Sequence, residues 1–477
     1  MRRIYALLLC AALLLMSSCG FVVGDINTLM RPPRPSGEML LIQQALENDV
    51  KEYTMKFPRT GDHRSAYIMH DLNGDGADEA LVFYTTKGDK SVPGMLYMHI
   101  LGKTGDTWSS KDKKLIENAS GIDKVEFIDM DNDGSDEVLV GYSLLTGPDK
   151  LLCVYSCKEK LTEYFSQNYN EYITAPLTGE VHEDESTPVT NLMLVKSSPT
   201  EPPVAMARLF TISGGSFVEN GSAAIDSQVS SYGRLHLTSW GERPVVLVDA
   251  LKGSSYMVTD VVYYDPDKKQ LMAPTFNSTT LQSEQTQRTQ VACRDIDNNG
   301  SIEIPLMTAL PLVKIANSQP APEDYVYLTR WIDYNITIPS EPQVVLSAVM
   351  NYADGYYLRF PDNWLEAAPS TDSVELLPVM PLITVTRDTA KRERTFYAFD
   401  YMQNAPGRTL FSVRTFQEKD WGTDVSTGYN MLLKSDTMVY GIKMGAGADP
   451  LAIGEAVIKN DLFGLIPSGN SGGNTAK

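Results

Sequence analysis

Histidine is scarce in this 477-residue chain, with five in all: His63, His70, His99, His182 and His236. None stands in H-E-x-x-H or another zinc spacing, which removes the usual zinc-hydrolase arrangement. Cysteine is equally scarce, at five residues. Two of these, Cys153 and Cys157 in "CVYSC", lie four apart on a strand-like run. Residues so spaced on a strand sit roughly 13 Å apart, too far for a disulfide. With Cys293, they read as free thiols. Basic charge is also short: 41 Lys+Arg face 60 Asp+Glu, a net −19. That balance argues against nucleic acid or an anionic surface as the main electrostatic partner and agrees with divalent-cation binding. A serine-nucleophile elbow is missing too. "GNSGG", Gly469–Gly473, matches G-x-S-x-G, but the motif needs a strand before it and a helix after it, and here it lies in a Gly/Ser/Asn-rich tail.

What is present begins with "MRRIYALLLCAALLLMSSCG", a basic start at Arg2 and Arg3, an apolar run from Ile4 to Met16, and small residues before Cys19. The run is too short to span a membrane comfortably and reads as a signal peptide over residues 1–18. "LMSSC" resembles a bacterial lipobox, which implies that Cys19 carries a lipid and that the protein is extracytoplasmic, anchored to the bacterial cell membrane. Residues 19–38, with three prolines, form a flexible tether. A short helix, "EMLLIQQALENDV", follows.

Repeats dominate the next 300 residues. "AYIMHDLNGDGADEALVFY", "VEFIDMDNDGSDEVLVGY" and "VACRDIDNNGSIEIPLM" share one outline, and their first acids, Asp71, Asp129 and Asp295, are 58 and 166 residues apart. The larger interval is close to three times 55, so two degenerate copies are expected between them. "VHEDESTPVTNLMLV" from Val181 and "HLTSWGERPVVLVDAL" from His236 fill those places. Each unit holds short strand-like runs such as "GMLYMHILGK", "KLLCVYSC", "VAMARLFTI" and "YMVTDVVYYD". Four strands plus turns fill about 55 residues, the size of one propeller blade. The fold expected is mainly β: a β-propeller over residues 39–338, with about five (five to seven) four-stranded blades.

In the three good copies, oxygen-bearing side chains fall at loop positions 1, 3, 5 and 9, with Gly at position 6 and a backbone carbonyl at position 7. These are Asp71, Asn73, Asp75, Ala77 and Glu79; Asp129, Asp131, Asp133, Ser135 and Glu137; and Asp295, Asp297, Asn299, Ser301 and Glu303. Calcium takes six to eight hard oxygens from a tightly curved loop, and this spacing supplies five with room for water. Two or three structural calcium sites are expected, with the third weakened by Asn299. An EF-hand would need Glu at position 12. That position is Val82, Val140 and Leu306, between strand-like flanks, so the EF-hand is excluded.

These loops resemble the FG-GAP/VCBS repeats, whose D-x-[DN]-x-DG-x-x-[DE] turn joins two strands of a blade, as in integrin α-subunit heads. The resemblance covers roughly Ala66 to Trp331; the FG and GAP signatures themselves are absent. It implies calcium that stabilises a turn and does not polarise a substrate.

Near "IPSEP", Pro339 to Pro342, the pattern changes, and residues 343–466 read as a smaller α+β domain with an antiparallel sheet. Its strands are "LITVTRDTA", "RTFYAFDYM", "TLFSVRTFQ" and "TMVYGIKMG", and "PLAIGEAVIKNDLFGLI" is its closing helix. "LRFPDNW", with Pro361 and Trp364, resembles the PsbP-like domains of bacterial lipoproteins. Residues 467–477 form a disordered tail.

Two functions fit these features. One is a non-catalytic surface lipoprotein whose propeller binds an extracellular or envelope protein or glycan and touches the membrane through its N-terminal lipid only. The other is an extracellular carbohydrate-active lyase or hydrolase with its site in the propeller channel. The conspicuous acids are already accounted for by calcium, and Trp108, Trp240 and Trp331 recur at strand-like positions and read as blade packing rather than sugar platforms, which favours binding over an enzyme.

Overall fold

A computed structural model describes residues 37–86, 95–147, 149–182, 186–312, 324–337, 342–367 and 378–467. The expected signal peptide, Cys19, nearly all of the tether and nearly all of the tail lie outside these residues. The fold is mainly β, built from successive antiparallel sheets.

Helix α1 (Glu38–Asp49) leads into the first sheet: β1 (Tyr53–Lys56), β2 (Ile68–His70), β3 (Glu79–Thr86), β4 (Leu96–Thr104) and β5 (Thr107–Ile116). β1 and β2 pair end to end along one edge of β3, acting together as one interrupted strand. The second sheet is a four-strand meander of β6 (Ala119–Ile128), β7 (Glu137–Leu144), β8 (Lys150–Ser156) and β9 (Thr162–Tyr169). The third repeats it with β10 (Glu171–Ala175), β11 (Asn191–Ser198), β12 (Val204–Ser213) and β13 (Ser216–Ala224). The fourth comprises β14 (Ser231–Trp240), β15 (Arg243–Lys252), β16 (Tyr256–Asp265) and β17 (Gln270–Met272), with β18 (Arg288–Thr289) beside β16. The fifth holds β19 (Ile304–Ala309), β20 (Tyr327–Asp333), β21 (Gln343–Asn351) and β22 (Tyr356–Arg359). β23 (Leu365–Ala367) and β24 (Val379–Pro381) form a small ribbon. The sixth sheet contains β25 (Ile383–Asp388), β26 (Glu393–Asp400), β27 (Ala405–Gln417), β28 (Asn430–Lys434) and β29 (Met438–Met444), and β30 (Phe463–Leu465) returns to β22.

The near-continuous apolar runs after each loop have a direct cause. Successive side chains on a strand point to opposite faces, and these strands are covered on both. In β3, Ala80, Val82 and Tyr84 pack with Ile42, Ala45 and Leu46 of α1, whereas Leu81 and Phe83 face the second sheet. In β7, Val138, Val140 and Tyr142 face back to the first sheet, and Leu139 faces the third. Leu192 and Leu194 against Met193 and Val195 repeat this in β11, as do Val246 and Val248 against Val245 and Leu247 in β15. Each such fully buried side chain contributes about 1.5–3 kcal/mol. The outermost strands β5, β9 and β13 are largely exposed or only partly buried, which keeps the outer rim of the stack polar.

The sheets thus stack in sequence order. Among the described residues each buried cluster either joins neighbours in the series or lies within one sheet, and none contains residues of both the first and the fifth or sixth sheets. Helix α1 covers one end and the sixth sheet covers the other. No described helix is long and apolar enough to cross a membrane.

Two boundaries differ from the sequence reading. The fifth sheet includes strands from both sides of the Pro339–Pro342 region, since β21 pairs with β20 along Leu328–Asp333. β22 and the Asp362–Trp364 turn then deliver Tyr356, Leu358 and Trp364 into one core with Phe396, Phe411 and Ile442 of the sixth sheet. The closing helix is confined to Glu455–Leu462, a short α-turn (α2, Glu455–Val457) continuing into a π-turn. The Leu451 carbonyl accepts from Trp364 Nε1 at 2.8 Å, and Phe463 leaves the helix to pair with Leu358.

Candidate metal centres

In the first and second sheets the acidic loop joins β2 to β3 and β6 to β7, and in the fifth it leads directly into β19, with one isolated bridge pairing Arg294 and Glu303 across its base. Each closes on its own amides in the same way. The position-1 carboxylate accepts from the backbone at positions 5 and 6: Asp71 from Asp75 and Gly76, Asp129 from Asp133 and Gly134, Asp295 from Asn299 and Gly300, all at 2.8–3.1 Å. The position-5 side chain accepts from the amide at position 7, that of Ala77, Ser135 or Ser301. Position 6 is left-handed, at φ 88°, 85° and 93° for Gly76, Gly134 and Gly300, so glycine there is a conformational requirement.

The position-9 glutamate has a second job, not legible as ligation alone. One oxygen of Glu79, Glu137 and Glu303 accepts from the amides of Leu72, Met130 and Ile296, at 3.1, 2.9 and 2.8 Å. Those position-2 side chains are buried plugs, so each loop is nailed to the core from beneath. The regular apolar residue at position 2 was the available signal.

Three carboxylates converge in two of the loops. Oxygens of Asp129, Asp131 and Glu137 lie within 4.8 Å of one another, as do those of Asp295, Asp297 and Glu303. Glu303 is fully buried and its Oε1 has no hydrogen-bond partner; Asp131 Oδ1 is likewise buried without one. Orphaned carboxylate oxygens in an acidic cluster are costly, and a bound cation is the group that would satisfy them. Burial, reinforced by the neighbouring acids, pushes the Glu137 carboxyl up to about 8 and Glu303 up to about 7. These residues fit a hard divalent cation. In the first loop, Asn73 stands at position 3, and its amide nitrogen lies 3.1 Å from Asp75 Oδ2 and 3.2 Å from Glu79 Oε1. An amide there stands in for the third carboxylate of the other loops. Asn299, at position 5, lies outside the convergent trio, with its amide 3.1 Å from Asp297. Lys158 pairs with Asp133 at 2.9 Å, a neighbour that loop spacing alone does not reveal.

The degenerate third repeat keeps the anchor without the acids. Asn191, at the start of β11, accepts from the amides of Leu177 and Thr178 at 2.8 and 3.0 Å, in the manner of the glutamates. Pro176 precedes the buried Leu177 where the other loops have their first aspartate. In the fourth repeat the loop shrinks to the Gly241–Glu242 turn between Trp240 and Arg243.

No family model and no curated protein matches the chain. Among solved structures, it is similar to a Bacillus licheniformis rhamnogalacturonan lyase, with 12% identity, 71% of this chain and 70% of that one covered, and a TM-score of 0.28. An exotype rhamnogalacturonan lyase gives 9% identity, 81% and 83% coverage and a TM-score of 0.28. The Dos1 propeller gives 8%, 65% and 79%, and 0.24. Likenesses this distant carry neither fold nor activity to this chain.

Two of the histidines sit in packed, hydrogen-bonded settings. His70, on β2, stacks on Phe127 at 4.0 Å and meets Asp136 at 2.6 Å. His99 is fully buried between Tyr84 and Ser110, and burial lowers it to about 4. Cys153, Cys157 and Cys293 are free thiols, with Cys157 the one partly exposed.

Proposed function

We propose that this chain is a bacterial surface lipoprotein whose FG-GAP/VCBS-type repeats form propeller-like blades, each stapled where an acidic loop survives by a structural calcium ion. The stack acts as a non-catalytic module that binds a protein or glycan partner. The observation that carries the metal reading is the convergence of three carboxylates in the second and fifth repeats, with a buried oxygen of Asp131 and of Glu303 lacking any partner. Calcium suits this set because every donor is a hard oxygen on a short, strongly curved loop. The loops join strands and sit over buried plugs, so the ion acts on stability. The PsbP-like reading of the C-terminal part rests on Trp364, which anchors the core shared by the fifth and sixth sheets.

The test is thermal unfolding of the protein in excess calcium, in excess magnesium and in chelator, with metal analysis of the purified protein. Each site saturated to about 100 times its Kd adds about 2.7 kcal/mol, so a clear rise of Tm in calcium is expected. Unchanged melting in chelator, with no metal copurifying, would sink the proposal.

A further inference from the structure

We infer that the cavity framed by the third, fourth and fifth sheets binds a neutral glycan; this rests on the glycan branch of the binding function proposed above. The cavity is about 360 Å³ and is lined by Thr178, Trp240, Glu242, Arg243 and Thr337 among others. That volume is in the range of small-ligand sites.

Its position is the first argument. Thr178 belongs to the connection after β10, and Trp240, Glu242 and Arg243 belong to the β14–β15 turn. These are the two repeats that have lost the acidic loop. Where the first, second and fifth repeats fold on their own carboxylates, these two turn different side chains into a shared hollow.

The chemistry is the second argument. The Trp240 indole is stacked on the buried Tyr334, with ring centroids 5.7 Å apart and an interplanar angle of 29°, so it is held in place before any ligand arrives. An aromatic plane of this kind packs against the C–H face of a sugar ring. Arg243 also lines the cavity, and its guanidinium is held over the Tyr263 ring at 5.4 Å. The exposed Glu242 beside it adds an acceptor, and Thr178 and Thr337 add hydroxyls. A fixed planar donor, a carboxylate and hydroxyls around one aromatic face match the vicinal hydroxyls of a saccharide. Neutrality follows from charge: the rim carries one cation and one anion on a chain of net −19, which repels a polyanion. A peptide added as an extra strand would need a free strand edge. Here Arg243 and Tyr264 are already paired with Trp240 and Leu271.

The experiment is calorimetric titration of the calcium-saturated protein with cellohexaose, mannohexaose, xylohexaose and chitohexaose, with hexagalacturonate as the anionic comparison. Wild type, Glu242→Ala, Arg243→Ala and Trp240→Ala are compared. Because Trp240 packs on Tyr334, the two rim variants keep the test valid if Trp240→Ala unfolds. At least one neutral hexasaccharide should bind, and each rim variant should weaken it about tenfold or more, the effect of losing a charged hydrogen bond. Binding that survives both rim variants places the glycan elsewhere and overturns the inference, while leaving the glycan-binding function standing. Binding of hexagalacturonate alone overturns the neutral ligand. If no saccharide binds while calcium still raises Tm, the inference fails and the calcium staple stands.

Discussion

The hydroxyl of Ser135 donates a hydrogen bond to the backbone carbonyl of Leu72 at 3.1 Å, tying the second acidic loop to the first. Ser135 is buried, and its backbone amide is held by Asp133. Any cation that tightens the second loop therefore also fixes the plug residue of the first. Calcium binding at these two sites should be cooperative, with the fifth-repeat site independent. Terbium luminescence titration should give a Hill coefficient above 1 for part of the signal. Ser135→Ala should bring it to 1 without abolishing binding. A Hill coefficient unchanged by that substitution would refute the coupling.

Gly74 gives the same contact a steric form. A Cβ at this position would lie 2.2 Å from the Gly134 carbonyl oxygen, and φ is +74°. Gly105 is also left-handed, at φ +58°, yet a Cβ there meets nothing within 4 Å. Both Gly→Ala substitutions carry the conformational penalty, about 1 kcal/mol, but Gly74→Ala adds a backbone clash of about 1–3 kcal/mol. Its Tm should fall well below that of Gly105→Ala. Equal losses would show that the two loops do not press on one another.

Glu303 separates metal binding from packing. One of its oxygens holds the Ile296 amide at 2.8 Å, and the other is buried without a partner. Glu303→Gln keeps the acceptor and places an amide among the acids, as Asn73 already does in the first loop. In chelator the variant should be as stable as wild type or more so, since an unpaired buried charge is removed. In calcium it should gain less than wild type. A variant less stable in both conditions by the same amount would make Glu303 purely structural.

Much of this was legible because it is local. The spacing of Asp129, Asp131 and Glu137 puts their oxygens together within one short turn, whatever the rest of the chain does. The runs "EALVFY" and "EVLVGY" read as strands, as β3 and β7 are, and their burial on both faces is a finding of the structure. What failed to show was tertiary. Asn191 replaces the anchoring glutamate of the third repeat and carries no acidic signature, so that copy read from Val181 although its anchor begins at Leu177. The break at Pro339–Pro342 looked like a domain edge because prolines end patterns locally, while the pairing of β20 with β21 is set by the core around Trp331. The helical spacing from Leu451 onward was overridden when Phe463 found an open partner in β22.

Lys158 offers a gain of function. Its ammonium pairs with the Asp133 carboxylate at 2.9 Å and with the Asp133 carbonyl at 3.0 Å, and the side chain is largely exposed. It competes with a cation for the position-5 oxygens of the second loop. Lys158→Met should raise calcium affinity there by about two- to fivefold, in keeping with an exposed ion pair. Calorimetry at low ionic strength reads this directly. An unchanged or weaker affinity would mean that the lysine does not compete.

Asp260 supplies a pH signature away from the metal loops. Its buried carboxyl accepts from the Ser283 hydroxyl and, at 3.2 Å, from the Asp226 amide, while Asp226 itself is paired with Lys252 at 2.9 Å. Burial pushes the Asp260 carboxyl up to about 7, with the Ser283 hydrogen bond pulling the other way and the nearby Asp226 adding to the rise. The folded state therefore holds this proton more tightly than the unfolded chain, where an aspartate titrates near 3.8. Stability from this residue is full below about 4, falls as pH rises through 7 and is level above that. Asp260→Asn keeps an acceptor for Ser283 and removes the charge. Measured in saturating calcium, so that the loop acids stay ionised, the difference in stability between variant and wild type should grow in the variant's favour from pH 4 to pH 7.5. Each unit of pKa shift is worth about 1.36 kcal/mol, so the divergence should be visible as several degrees of Tm. Parallel pH profiles for the two proteins would show that Asp260 stays ionised in the core, held by Ser283 and the Lys252 charge beyond Asp226.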